Sequence, residues 1–410
     1  MKFFWSANVI LLVFLHITPF SSQSQSANEA YNRGLQLMST ENYELAIEQF
    51  SAAIEMVPFF YEAFYERGRS YQQLGKPEQA IGDFTQAIKH DTTFAQAYYQ
   101  RAISYSAIGE HNNALNDYTR AIENNPDKTQ AYLKRSEIHL RNSSYKKAID
   151  DLTTVLDSGH INPNVLFNRG KLNQQTGNPD LALEDFTKAI ELDSLHSELR
   201  TERANIYISM QEYEKAVADL TVAIDEGVSA QNIIQQRADA AFDAGIYEVA
   251  IEDFTRLINS FRQRNEETYY KRAKSYYYSE EYEAASRDFT RVIGHNRDHE
   301  QAYLYRAESY YKMGRESQAM VDYRILMRRN PDNPLAYQKR AEMLLKSGKN
   351  EDALQDINKA IRLEPSADNF FIRAAVYAQQ NNQRAACRDL KEAADLGHEE
   401  AGERFRRYCY

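Results

Sequence analysis

Two rows of charge run through the 410-residue chain at a fixed spacing. One is made of Arg33, Arg67, Arg101, Arg135, Arg169, Arg203, Arg237, Arg272, Arg306, Arg340 and Arg373. The other is made of Asp83, Asp117, Asp151, Asp185, Asp219, Asp253, Asp288, Asp322, Asp356 and Asp389, each just before a large apolar residue. At the first such place Gln49 stands instead. A row of guanidiniums alone could grip an anionic ligand. Matched rows of opposite sign point instead to an Arg–Asp ladder that holds helices in register, because a partly buried charge needs its counter-ion. The spacing leaves open whether each pair lies within one segment or bridges two.

Cys387 and Cys409 are the only cysteines. In an antiparallel hairpin turning near Gly397, one stands ten residues before the turn and the other twelve after, at the similar height a disulfide requires. A Cys-x-x-Cys redox motif is absent. No HExxH, GxSxG, phosphate-binding loop or dinucleotide fingerprint occurs, and the nine histidines show no metal-ligand spacing. Gly348-Lys349 and His398-Glu399-Glu400 lack the rest of any motif. No catalytic residue, metal or cofactor is therefore expected. Asn142-Ser143-Ser144 fits a glycosylation acceptor, which matters only in a eukaryotic secretory pathway.

The elements that must position these residues are legible in residues 95–128. Tyr98, Ala102 and Tyr105 recur three and four apart, which predicts an amphipathic helix from about Ala95 to Ile108, ended by Gly109. Ala114, Tyr118 and Ala121 predict a second from about Asn112 to Glu123, stopped by Asn124, Asn125 and Pro126. Laid along the chain every 34 residues, this window matches eleven times. Ala recurs at 46, 80, 114, 148, 182, 216, 250, 285, 319, 353 and 386, and four residues later the chain is always large and apolar, from Phe50 to Leu390. The matching slot on each first helix is always small: Gly34, Gly68, Ala102, Ser136, Gly170, Ala204, Ala238, Ala273, Ala307, Ala341 and Ala374. Small beside large lets two helices approach closely while the larger group fills the gap.

Period, slots and the frequent closing proline (Pro58, Pro126, Pro331, Pro365) resemble the tetratricopeptide repeat family, over about nine tenths of the chain. The resemblance implies an all-α fold, a solenoid of helical hairpins wound into a right-handed superhelix. The eleven repeats run over 27–397 without a linker, as one continuous rod, and 398–410 is expected to form a capping helix. Repeats four, six and eleven close on Gly159, Gly227 and Gly397 in place of proline. In the family, first helices turn one face to a concave groove. Transferring those slots gives Tyr31, Tyr65, Arg69, Tyr99, Leu133, Phe167 and Lys171, then Tyr270, Lys274, Tyr277, Tyr278, Leu304, Glu308 and Tyr311. Rings flanked by charge suit an extended peptide or a partner helix, although such rings can equally pack the groove wall. The Lys and Asn slots with which some members hold a chaperone's C-terminal carboxylate carry Tyr31, Leu35, Glu66, Gln96 and Gln100 here, so that clamp is missing.

Residues 1–26 stand outside the repeat. Lys2, the apolar run Val9 to Ile17 and the small polar stretch to Ser26 have the layout of a secretory signal peptide cut after Ser24 or Ser26. The apolar run is too short, and too interrupted by Asn8 and His16, to stay as a membrane anchor. Segment 1–24 is thus expected to be removed, and the protein to be exported, periplasmic or extracellular. A net charge of −10 argues against nucleic acid as a partner. The reading is an exported non-catalytic scaffold binding a protein or peptide. Alternatives are an envelope assembly factor, a secretory-compartment co-chaperone (although a J-domain's His-Pro-Asp is absent) and an unrecognised enzyme or carbohydrate binder.

Overall fold

The computed structural model describes residues 18–125, 127, 129–193 and 197–409. The apolar run of the expected signal peptide lies outside them. The first helix, Thr18–Ser39, begins upstream of the expected cut, and Gln23 to Ser26 on it are exposed.

Helices form where the small–large spacing places them. The window at 95–128 folds as Ala95–Ala107 and His111–Asn124. Gly109 between them takes φ +79°, a conformation in which a side chain would be strained. Among the described residues there are twenty-three helices and no strand. Gly159, Gly227 and Gly397 end their helices at φ +87°, +106° and +95°, so glycine does close these repeats where proline is absent. The chain groups into two compact units, Met1–Leu199 and Arg200–Tyr410. Their boundary falls inside the helix Ser197–Ser209. Within each unit, first and second helices of a hairpin pack together, and the second packs on the first helix of the next.

The core is the predicted set of slots. Ala46 and Phe50, Ala80 and Phe84, Ala114 and Tyr118, Ala182 and Phe186 are buried in the first unit. Ala250 and Phe254, Ala285 and Phe289, Ala319 and Tyr323 are buried in the second. Why the first-helix slot stays small is visible at Gly68 and Gly170. A Cβ there would stand 2.7 Å from the ring of Phe84 or Phe186, well inside contact distance.

Each Arg–Asp pair lies within one repeat. Two nitrogens of the guanidinium donate to the two carboxylate oxygens, as in Arg237 to Asp253 at 2.7 and 2.8 Å. The same fork recurs from Arg67–Asp83 to Arg373–Asp389. Burial pushes the Asp83 and Asp322 carboxyls up while the guanidinium opposes it. The third nitrogen reaches back to the preceding repeat: Arg67 to Ser51 at 2.8 Å, Arg101 to Thr85 at 3.0 Å, Arg306 to Thr290 at 3.0 Å. The Thr85 and Thr290 hydroxyls are oriented to accept, because each donates its own hydrogen along its helix, to the Ile81 and Ser286 carbonyls at 2.7 Å. One arginine therefore ties two repeats. Arg33, facing no aspartate, is exposed and bonds only to the Glu29 carbonyl among the described residues.

At the C-terminal end Cys387 and Cys409 are joined, with Cα atoms 5.6 Å apart. The helix Glu399–Tyr408 buries Ala401 and packs Phe405 on the cluster that Ala401 forms with Ala374, Leu390 and Ala393. It covers the last repeat. Among the described residues no helix is long and apolar enough to cross a membrane.

Candidate functional site

The candidate binding residues all stand on first helices, and their packing sorts them into two groups. At the fifth position of a repeat, a ring leans on the buried ring of its own second helix. Tyr31 meets Phe50 at 5.7 Å, Tyr65 meets Phe84 at 5.8 Å, Tyr99 meets Tyr118 at 5.8 Å and Tyr270 meets Phe289 at 6.1 Å. Tyr31 and Tyr65 also touch Phe60 and Phe94, at 5.0 and 4.9 Å. Burial pushes the Tyr31 phenol up to about 12, helped by Glu66 and Glu62, and raises Tyr65 and Tyr99 as well. Arg69, beside the Tyr65 ring, is neutralised by Glu66 at 2.9 Å. These residues form a half-buried wall against their own hairpins.

The second group stands on Glu266–Tyr278 and Glu300–Lys312, the first helices of repeats eight and nine. Tyr277 presents its edge to Tyr305 at 5.1 Å and donates its hydroxyl hydrogen to Glu308 at 2.8 Å. Burial, and then the Glu308 carboxylate, push that phenol far above the ordinary tyrosine range. Tyr278 is 43% exposed, stacks on Tyr247 at 5.1 Å and brings its hydroxyl within 3.2 Å of that of Tyr305. Tyr277, Glu308, Tyr311, Lys339 and Glu342 line a cavity of about 230 Å³. Burial raises the Glu342 carboxyl against the pull of Lys339 and Lys346. Lys274 stands among four rings. By contrast the neighbouring core slots Tyr269 and Tyr303 are buried, while Tyr276 and Tyr310 are half-buried.

Family models described as tetratricopeptide repeat match residues 95–128, residues 31–97 and 270–334, and residues 163–194 and 335–366. Together they span more than half of the chain. The chain belongs to the tetratricopeptide repeat family. No curated protein matches it. Among solved structures it is similar to the MamA protein, 22% identical over 42% of this chain and 95% of that one, with a TM-score of 0.39. It is also similar to a chain of the Naa15/Naa10 complex bound to HypK-THB, 12% identical over 93% of this chain and 65% of the other, TM-score 0.49. YrrB, a tetratricopeptide repeat protein with an unusual peptide-binding site, is 20% identical over 53% of this chain and 95% of its own, TM-score 0.32.

Two features of this tetratricopeptide array escaped the sequence reading. Tyr305, at the centre of the ring cluster, occupies the sixth position of its repeat, not a transferred groove slot. Gln263 sits in the loop that carries repeat seven's extra residue, where Arg262 takes φ +55°. It donates to Gln235 at 2.7 Å and accepts from Gln231 at 2.8 Å. With Asp239 and Lys271, which pair at 2.7 Å, it lines a polar recess of about 590 Å³. The insertion itself was the available signal. Among the described residues, no cluster of His, Cys, Asp and Glu is placed to hold a metal ion.

Proposed function

We propose that this protein is an exported, non-catalytic scaffold that holds an extended segment or a helix of a partner protein against the first helices of repeats eight to ten. One observation carries the reading. After the core slots are filled, Tyr278 is still exposed, and half-buried Tyr311 lines a small cavity with Glu308, Glu342 and Lys339. Partly exposed rings with charge at their edges offer apolar area and orientation together, as interface anchors do. Export is supported by the signal-like layout of residues 1–26 and by the pairing of the only two cysteines, since disulfides persist in oxidising compartments.

The test replaces Tyr278 and Tyr311 together by Ala. Tyr277 is left in place because its hydrogen bond and edge contacts belong to the packing. Loss of two anchors should weaken capture of the partner from the exported fraction by about 2 kcal/mol or more, with helical content unchanged. A double variant that keeps its partner refutes this site. Export is tested separately: Trp5 is the only tryptophan, so indole emission from the purified exported protein would refute removal of the leader.

A further inference from the structure

The Lys274 ammonium has an uncommon environment. It lies 5.2 Å from the centre of the Phe242 ring, 5.8 Å from Tyr270, and 5.7 Å from both Tyr278 and Tyr305. These rings come from three successive first helices. Ring faces attract a cation through their quadrupole, but they carry no lone pair in position to accept its three N–H groups. Among the described residues no carboxylate lies within ion-pairing distance of Lys274. Its equivalent in repeat two is neutralised. Arg69, at the same position of repeat two, has Glu66 one turn back at 2.9 Å. In repeat eight the residue one turn back is Lys271, itself claimed by Asp239 at 2.7 Å and Glu267 at 3.3 Å. The cage thus holds a fixed positive charge whose hydrogen-bonding capacity is unused.

Tyr278 and Tyr305 add to this. Their hydroxyls share one hydrogen bond at 3.2 Å, which leaves one of the two hydrogens to donate elsewhere. Lys312 and Lys346, on the next two first helices, are exposed and likewise make no ion pair among the described residues. The nearby carboxylates do not compete, since Glu308 is held by Tyr277 and Lys339, and Glu342 by Lys339. An incoming carboxylate would gain charge-assisted hydrogen bonds without displacing any internal partner.

From this geometry we propose that Lys274 is the recognition point for an acidic side chain within the extended partner segment, with Lys312 and Lys346 favouring further acidic residues along it. The inference rests on the groove reading above and names the chemistry of its ligand. It is specific in direction, because a chain of net charge −10 would otherwise repel an acidic peptide.

The experiment uses the full chain and two fluorescein-labelled decapeptides with amidated C-termini, one alternating alanine with glutamate and the other alanine with glutamine. Fluorescence anisotropy should show the glutamate peptide binding about tenfold tighter, the scale of one charge-assisted contact. Lys274→Met, which keeps the cage filled, should erase that preference with the helical content unchanged. Lys274→Arg should restore it. Equal affinity of the two peptides for the native chain overturns the proposal, as does a Lys274→Met variant that still prefers glutamate. If the peptides bind equally and Tyr278→Ala with Tyr311→Ala weakens both, the groove reading stands and only the acidic preference falls. Failure of both peptides to bind rejects the two together.

Discussion

Repeats one to five and repeats seven to nine use the same first-helix positions for different ends. In repeats one, two, three and five the fifth-position ring meets the buried ring of its own hairpin, and Met38, Gln72, Ser106, Leu140 and Gln174 occupy the twelfth position of the first five repeats. In the later ones the fifth-position contact persists at Tyr270 and Phe289, but Phe242, Tyr277 and Tyr311 now fill the twelfth. Rings therefore reach across repeats, with Tyr277 against Tyr305 and Tyr278 against Tyr247. The difference separates rings that the hairpin needs from rings that it does not. Tyr31, Tyr65, Tyr99 and Tyr270 belong to the wall. Tyr277 joins the packing through Glu308 and Tyr305, whereas Tyr278 and Tyr311 are less committed to it, and a binding site is more reasonably sought at those two.

The comparison requires that the scaffold beneath be the same in both regions, and the ladder tests that. Arg237 and Asp253 are 6% and 0% exposed. Asp253→Asn keeps the shape but strands a guanidinium that cannot neutralise itself, and should cost about 3–5 kcal/mol in denaturant unfolding. Asp83→Asn should act alike in the first unit. Arg33→Ala, at an exposed residue with no aspartate, should stay within about 0.5 kcal/mol. Equal and small effects at all three would mean that the row is solvated, and the shared scaffold would be lost as a reference.

A smaller effect sharpens the sorting of the rings. Tyr99 is half-buried against Tyr118, so Tyr99→Ala should cost about 2 kcal/mol of stability from lost area and packing. Tyr278, 43% exposed, should cost under about 1 kcal/mol when replaced by Ala. Thermal melting of the two variants side by side decides it. The reverse order would place Tyr278 in the wall and leave the later repeats without a surplus ring at that position.

Most of the fold was legible because its rule is local and repeated. A small residue facing a large one at constant offset, as at Gly68 and Phe84, needs no knowledge of the rest of the chain. The cysteine pair was legible for the same reason, since a single turn at Gly397 sets both heights. What periodicity cannot resolve is direction. Rows of Arg and Asp with one period fit pairing within or between repeats equally well, and only geometry shows the carboxylate taken inside the repeat and the Ser51 or Thr85 hydroxyl taken from the one before. The hydroxyl row was present all along at 51, 85, 119, 153, 187, 221, 255 and 290. Tyr277 and Tyr278 are adjacent, so their helix period gives them neighbouring faces, and whether each is packed depends on Tyr305 and Tyr247 from other repeats.

The smallest effect concerns alkaline pH, and it again sets the two regions side by side. Tyr118 in the first unit and Tyr323 in the second fill the same large slot and are 1% and 2% exposed. Burial raises Tyr118 to about 12, and raises Tyr323 further because the Glu308 and Glu342 carboxylates add to the burial. An unfolded tyrosine ionises near pH 10. A folded-state value above the unfolded one means that the phenol's contribution is fully present below about pH 10 and is lost as pH rises toward the folded value. Neither tyrosine should affect the pH dependence of melting near neutrality. Between about pH 10 and 12 both should make the native protein lose stability, since only the unfolded chain releases the proton. Above about pH 12 the Tyr118 contribution levels off while that of Tyr323 continues, because the acidic pair in repeats nine and ten still holds its phenol neutral. Tyr118→Phe and Tyr323→Phe should therefore both flatten the alkaline fall in melting temperature, and Tyr323→Phe should flatten it to higher pH. Identical curves for the two variants would show that Glu308 and Glu342 exert no field on the core ring. The later repeats would then differ from the earlier ones in ring count alone.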